Sequence, residues 1–141
     1  MKLLDKIFKR TPKRKKDEGT ALERYRKSFF HAIDGIIYCI KYEHNMIIIF
    51  IAIILVTILG FIFEISGLEW LFVISMFGII SACEMINSSI EATIDLYTTD
   101  IHPLAKIAKD VASSATLIMC ITSVIGGCII FIPRFMTFIG G

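Results

Sequence analysis

A row of carboxylate and amide side chains in the middle of the sequence has the residue types that bind metal ions and move protons. An α-helix turns by about 100° per residue, and this rotation gathers five polar side chains into a fan of about 100°. These are the side chains of Glu84, Asn87, Ser88, Glu91 and Asp95. Three carboxylates on one stripe repel each other unless cations neutralise them, and Mg²⁺ prefers hard oxygen ligands. The stripe therefore predicts a magnesium-dependent site.

Glu84 lies at an energetically costly depth. The sequence is apolar from Trp70 to Cys83 apart from single serine residues, so Glu84 lies about 21 Å along the axis of a helix that begins at Trp70. That depth is still inside a hydrocarbon layer of about 30 Å. A carboxylate within the membrane indicates a functional site by default.

A second polar cluster follows at the predicted start of the next helix. Pro103 suits the first position of a helix, and Lys106, Lys109 and Asp110 share one side of its first turns. The N–H groups and the positive dipole end of a helix N-terminus favour a phosphate group. The alternatives are membrane-anchoring lysines, or ion pairs of these lysines with Asp95 or Asp110, and the sequence leaves them open.

The elements that position these residues are predicted to be membrane helices. Hydrophobic residues make up 55% of the sequence, whereas soluble domains are nearer 45–50% apolar. Long apolar runs predict transmembrane helices, and Ser66 with Glu69 fits a capping box at the start of the second one. The predicted spans are 46–64, 68–97 and 103–132, with Pro133 closing the last.

The N-terminal part carries most of the positive charge. Of 15 Lys and Arg residues, 12 lie in the first 41, which places the N-terminus in the cytoplasm by the positive-inside rule. Residues 1–19 are predicted to be a disordered basic tail that favours a membrane surface over nucleic acid. Thr20 and Glu23 fit a capping box. They begin an amphipathic helix over 20–42 of a type that lies in the bilayer interface.

Other signatures are absent. The sequence has no P-loop and no protein-kinase motif. Its four cysteines form no C-x-x-C pair, so we interpret them as small buried hydrophobic residues with no disulfide or metal role.

Two motifs together resemble the bacterial diacylglycerol kinase and undecaprenol kinase family. They are Glu84-x-x-Asn87-Ser88-x-Ile90-Glu91-x-x-x-Asp95 and His102-Pro103-Leu104-Ala105-Lys106-x-Ala108-Lys109-Asp110. Upstream, Lys27-Ser28-Phe29-x-His31 and Glu43-x-Asn45 fit the same family. The resemblance covers about residues 22–135 and leaves the tail of 1–19 outside.

The resemblance implies an all-α membrane protein: a homotrimeric bundle whose subunits, formed by 20–141, each have an N-terminal surface helix and three transmembrane helices. It also implies an enzyme of the bacterial cytoplasmic membrane, with active sites at the cytoplasmic edge. Such an enzyme uses ATP and Mg²⁺ to phosphorylate the hydroxyl of a membrane lipid.

Residue roles follow from the resemblance by position. Glu84 is the expected general base, which also contacts the lipid, and Asn87 is an expected catalytic contact. Glu43 and Glu91 are the expected magnesium ligands beside the nucleotide. Ser113 is expected near the lipid. The further expected nucleotide contacts are Arg24, His31, Asp95, His102, Lys109 and Asp110.

The lipid substrate is the finer question. His102 to Lys106, the Glu43-His44-Asn45 form and the Glu69-Trp70 pair resemble the Gram-positive branch, which implies undecaprenol as the substrate. Ser113-Ser114 departs from the small Ala and Gly that are frequent there. Diacylglycerol is the alternative substrate. A non-enzymatic ion-pathway or assembly protein is a remote alternative, because intramembrane acids fit that class too.

Overall fold

The computed structural model describes residues 20–97 and 102–140, and every regular element in these ranges is an α-helix. The helices in chain order are α1 (Ala21–Tyr42), α2 (His44–Ile62), α3 (Gly67–Tyr97) and α4 (Pro103–Gly140). The last three are long and apolar enough to cross a membrane. The prediction of an all-helical chain with three spans is therefore confirmed, and the tail predicted over 1–19 lies outside the described residues.

The chain divides into two compact units, one ending at Gly35 and the other beginning at Ile36. In the first unit, α1 begins with the predicted capping box. Thr20 N donates to Glu23 Oε2 at 2.9 Å, and Glu23 N donates to Thr20 Oγ1 at 3.3 Å. The apolar side chains of Leu22 and Phe29 are exposed, which is typical of a helix that lies in a bilayer interface.

In the second unit, the connection between α2 and α3 ends in the second predicted capping box. Ser66 N and Ser66 Oγ both donate to Glu69 Oε2 at 2.7 Å. The same carboxylate accepts hydrogen bonds from both Arg134 guanidinium nitrogens, from Nη2 at 2.7 Å and from Nη1 at 2.8 Å. One carboxylate therefore caps α3 and ties its first turn to the distal part of α4.

A small apolar core lies next to this ion pair. Its buried members are Ile65, Val73 and Ile130, with aromatic side chains packed around them. Gly126 permits close packing of α4, because a Cβ atom at that position would lie 2.2 Å from Cζ of Phe72. Most other apolar side chains of the three spans are exposed, as expected where lipid or another subunit covers them.

The C-terminal helix extends further than the sequence predicted. Pro133 was expected to close it at 132, but α4 continues through Pro133 to Gly140. A proline lacks the backbone N–H that would bond the carbonyl four residues earlier, here that of Ile129, and membrane helices tolerate this loss. The carbonyls on either side of the proline ring accept side-chain bonds as well: Arg134 Nη1 donates to the Ile130 carbonyl at 2.8 Å, and Thr137 Oγ1 donates to the Pro133 carbonyl at 3.0 Å.

Candidate active site

The buried stripe of α3 changes from apolar to polar along its length. Its buried residues are Val73, Ile80, Glu84, Asn87 and Ser88. Their spacing of three, four and seven residues follows one helical face. Because α3 runs without interruption from Gly67 to Tyr97, the face that packs apolar side chains near its start presents carboxylate, amide and hydroxyl groups near its end. The carboxylate of Glu84 belongs to a residue only 2% exposed.

Hydrogen bonds within α3 order this polar segment. Asn87 Nδ2 donates to Glu91 Oε1 at 3.0 Å, which holds the Glu91 carboxylate on the stripe. Ser88 Oγ donates to the Glu84 carbonyl at 3.1 Å, so its hydroxyl is used within the helix backbone. Glu91 is half-buried and Asp95 is exposed. Burial thus decreases from Glu84 toward the C-terminal end of α3.

Three of the acids have no basic partner within the described residues. Glu43, Glu84 and Glu91 form no ion pair with any Lys, Arg or His side chain of residues 20–97 and 102–140. Glu43 is the N-cap residue of α2, yet its side chain makes no capping hydrogen bond. These carboxylates are therefore available to a cation from outside the chain.

Cys39 shows that two of these acids share one neighbourhood. Burial raises the pKa of its thiol, and the negative charges of Glu43 and then Glu84 raise the pKa further. The end of α1, the start of α2 and the middle of α3 thus contribute groups that act on one thiol. The sequence predicted only a buried cysteine. Its four-residue spacing to Glu43 was the one signal that linked it to the site.

The second cluster forms the ion pairs that the sequence left open. Lys109 Nζ lies 2.5 Å from Asp95 Oδ1 and joins the start of α4 to the end of α3. Lys106 pairs with Asp110 one turn along the same helix. His102 Nδ1 accepts a hydrogen bond from Leu104 N at 3.2 Å. Because this side chain caps α4, one of the N–H groups expected to receive a phosphate already has a partner.

The remaining predicted residues lie on exposed surface. Ser113 Oγ donates to the Asp110 carbonyl at 3.1 Å, and Ser114 Oγ donates to the Val111 carbonyl at 2.7 Å, so both hydroxyls are bound to their own helix. Arg24 and His31 belong to the N-terminal unit, where both are exposed. His31 Nδ1 lies 3.9 Å from Asp34 Oδ2.

An apolar groove of about 280 Å³ leads away from the buried acid. Side chains of α2, α3 and α4 line it, including Ile80 and Cys120. Ile80 lies one turn before Glu84 on α3. The carboxylate thus lies next to one end of a groove that suits a hydrocarbon chain.

The donor atoms at the site match the chemistry of Mg²⁺. Carboxylate oxygens of Glu43 and Glu91 are the hard ligands that this ion prefers, and both acids are free of basic partners in the described ranges. No group of three or more His, Cys, Asp or Glu side chains there is arranged to hold a metal by itself. The residues fit the ion in type, but the described part of one chain does not supply a complete set of ligands.

Comparison with known proteins identifies relatives of this chain. Residues 30–131 match the family model "Prokaryotic diacylglycerol kinase". An undecaprenol kinase of Bacillus subtilis strain 168 is 40% identical over 119 residues, which cover 84% of this chain and 97% of the relative. A diacylglycerol kinase of Helicobacter pylori strain J99 is 36% identical over 113 residues, covering 79% and 83%. A diacylglycerol kinase of Escherichia coli strain K12 is 31% identical over 85 residues, covering 60% and 70%.

Proposed function

Since this chain belongs to the prokaryotic diacylglycerol kinase family and is a multi-pass membrane lipid kinase, we propose that it phosphorylates undecaprenol to undecaprenyl phosphate, using ATP and Mg²⁺. The observation that carries the proposal is the position of Glu84. Its buried carboxylate has no basic partner in the described residues and lies beside an apolar groove. The similarity to the undecaprenol kinase of Bacillus subtilis supports this choice of acceptor.

Glu84 acts as the general base in this proposal. A base must lie within reach of the proton that it removes, and Glu84 lies next to the groove that receives the lipid chain. The lipid hydroxyl enters at the end of the groove and gives its proton to the carboxylate. Asn87 holds Glu91 in place through its amide group. Glu43 and Glu91 hold the metal, and Asn87 contributes a polar contact beside the reacting groups.

The start of α4 binds the nucleotide. Lys109 presents its ammonium group to phosphate oxygens, with Asp95 fixing its position, and Asp110 and His102 lie on the same helix start. Arg24 and His31 are further nucleotide contacts. When bound, ATP with Mg²⁺ supplies the phosphoryl group and neutralises charge that develops during transfer.

The enzyme works as a homotrimer. The described part of one chain does not complete a metal site by itself, and large apolar surfaces of its spans are exposed. Both observations favour sites completed by a second copy. The basic N-terminal region supports a cytoplasmic N-terminus and active site by the positive-inside rule, with α1 as a surface helix.

The acceptor is tested with purified protein in detergent micelles. The protein is given ATP labelled in the γ-phosphate, Mg²⁺, and either undecaprenol or a diacylglycerol, and labelled lipid is counted. We expect a higher kcat/KM for undecaprenol. A higher kcat/KM for diacylglycerol would show that diacylglycerol, not undecaprenol, is the preferred acceptor. Transfer to neither lipid would refute both. Glu84→Gln protein provides the blank for each lipid.

A further inference from the structure

Two polar side-chain atoms in the described ranges are shielded from solvent and have no hydrogen-bond partner: Asn87 Oδ1 and Thr116 Oγ1. Thr116 differs from most hydroxyl residues of its helix. Four other hydroxyls of α4 donate to a backbone carbonyl three or four residues earlier, and these belong to Ser113, Ser114, Thr122 and Thr137. A buried polar group without a partner is costly. The Thr116 hydroxyl is therefore free to bond a partner outside its own helix.

Two ion pairs show which residues of α3 lie opposite Thr116, that is, at the same level along the helix axis. Lys109 pairs with Asp95 near one end of the α3–α4 contact, and Arg134 pairs with Glu69 near the other. The two helices therefore run antiparallel in constant register. Thr116 lies about two turns beyond Lys109, and Ser88 lies about two turns before Asp95. Thr116 thus faces the Asn87–Ser88 level of α3.

The close packing of α4 supports this placement. Among the described helices, α4 packs closely along its length only against α3. On the matching part of α3, the Ser88 hydroxyl is already bonded to the Glu84 carbonyl. The unpaired atom that remains at this level is Asn87 Oδ1. By this register, an unpaired hydroxyl and an unpaired carbonyl oxygen lie at one level of the α3–α4 contact.

This level lies between the proposed base and the proposed phosphate contacts. Glu84 is about one turn away in one direction, and Lys109 is about two turns away in the other. Resting on the proposed function, we propose that Thr116 is a further catalytic residue, whose hydroxyl donates a hydrogen bond to the alcohol oxygen of the lipid acceptor. Nothing else in the described part of α4 offers a buried, unused donor at this level.

An alcohol group matches these atoms in its hydrogen bonding. Its oxygen accepts from Thr116 while its proton faces Asn87 Oδ1 in the resting complex. During transfer the alcohol O–H bond breaks and the proton passes to the Glu84 carboxylate. A bond forms between the alcohol oxygen and the γ-phosphorus, and the departing ADP oxygen keeps the electron pair of the phosphorus–oxygen bond that breaks. Thr116 holds the attacking oxygen in line throughout.

The test compares Thr116→Val, which replaces the hydroxyl with a methyl group, and Thr116→Ser, which keeps it. We expect Thr116→Val to lower kcat/KM for the lipid alcohol about twofold to tenfold, the range for one lost hydrogen bond. The KM for ATP should stay at the wild-type value. Thr116→Ser should recover most of the loss.

A second measurement needs no nucleotide. Farnesol, a short isoprenoid alcohol, should raise the unfolding temperature of the wild-type and Thr116→Ser proteins in detergent, and should raise that of Thr116→Val clearly less. Unchanged lipid kinetics in Thr116→Val, or an equal loss in Thr116→Ser, would overturn the role of the hydroxyl. If Thr116→Val lowers the unfolding temperature but leaves the lipid KM and kcat unchanged, the hydroxyl has a purely structural role, and the proposal is also overturned. Wild-type protein inactive on every lipid would instead refute the proposed function.

Discussion

Lys109 Nζ and Asp95 Oδ1 lie 2.5 Å apart, and this ion pair joins the start of α4 to the end of α3. The two side chains are 34% and 63% exposed, and surface pairs of this kind contribute about 0–1 kcal/mol to stability. The pair is therefore better suited to fixing the direction of the Lys109 ammonium group than to holding the fold together.

We expect Asp95→Asn to raise the KM for ATP several-fold while the unfolding temperature changes little, because Lys109 loses its fixed direction but the helices keep their packing. Lys109→Met should lower kcat/KM for ATP more strongly. The double variant should be no worse than Lys109→Met alone, since residues that act as one unit show non-additive effects. Additive losses, measured in the same ATP titrations, would mean that Asp95 acts independently of Lys109.

Glu84→Gln should lower kcat about 10²-fold or more, the usual contribution of a general base. Glutamine keeps the shape of the buried side chain but cannot accept the proton. Chemical cross-linking should show the same oligomer as for the wild type. Glu64→Gln is the matched control, because Glu64 lies exposed in the connection between α2 and α3. A Glu84→Gln protein that turns over at the wild-type rate would remove Glu84 from this role.

Removal of magnesium should abolish phosphoryl transfer, and Glu43→Gln and Glu91→Gln should raise the concentration of Mg²⁺ needed for half-maximal rate about tenfold or more. Each change removes a negatively charged hard ligand. Lipid kinase assays across a magnesium series, with Glu64→Gln alongside, provide the measurement. If both variants keep the wild-type magnesium dependence, these carboxylates do not bind the ion.

Local features of the fold were predictable from sequence, because their partners lie within one turn. The capping boxes at Thr20 and Ser66 form as predicted. The polar face of α3 follows from the helical period and the absence of Pro or Gly between Glu84 and Tyr97. The site residues on this face are therefore arranged as the spacing predicted, although their chemical roles stay a proposal.

Contacts between distant segments were not predictable in the same way. The partner of Glu69 is Arg134, 65 residues later, and nothing in either local pattern specifies it. The same arginine also bonds the Ile130 carbonyl one turn earlier, and the local pattern around Pro133 predicted an end of α4 where the helix in fact continues. The shielded hydroxyl of Thr116 likewise follows from the register of α3 against α4.

The Glu69–Arg134 pair should stabilise the fold without affecting catalysis, because Glu69 lies about 22 Å from Glu84 along the axis of α3. We expect Arg134→Met to lower the free energy of unfolding by about 1 kcal/mol, a value reduced by partial solvent exposure. Glu69→Gln should cost more, since its carboxylate also caps α3 through Ser66. Unfolding in detergent provides the measurement. Equal losses in the two variants would show that the cap adds nothing.

Gly126 and Gly127 offer a neighbouring pair for testing the packing of α4. A Cβ atom at Gly126 would lie 2.2 Å from Phe72 Cζ, whereas one at Gly127 meets nothing within 4 Å. Gly126→Ala should therefore lower the free energy of unfolding by about 1–3 kcal/mol, the usual cost of overpacking. Gly127→Ala should be neutral or raise stability by up to about 1 kcal/mol, because alanine favours a helix. Phe72 also lines the apolar groove, so displacement of its ring by Gly126→Ala should raise the KM for the lipid as well. An unchanged lipid KM would show that the groove does not bind the lipid chain.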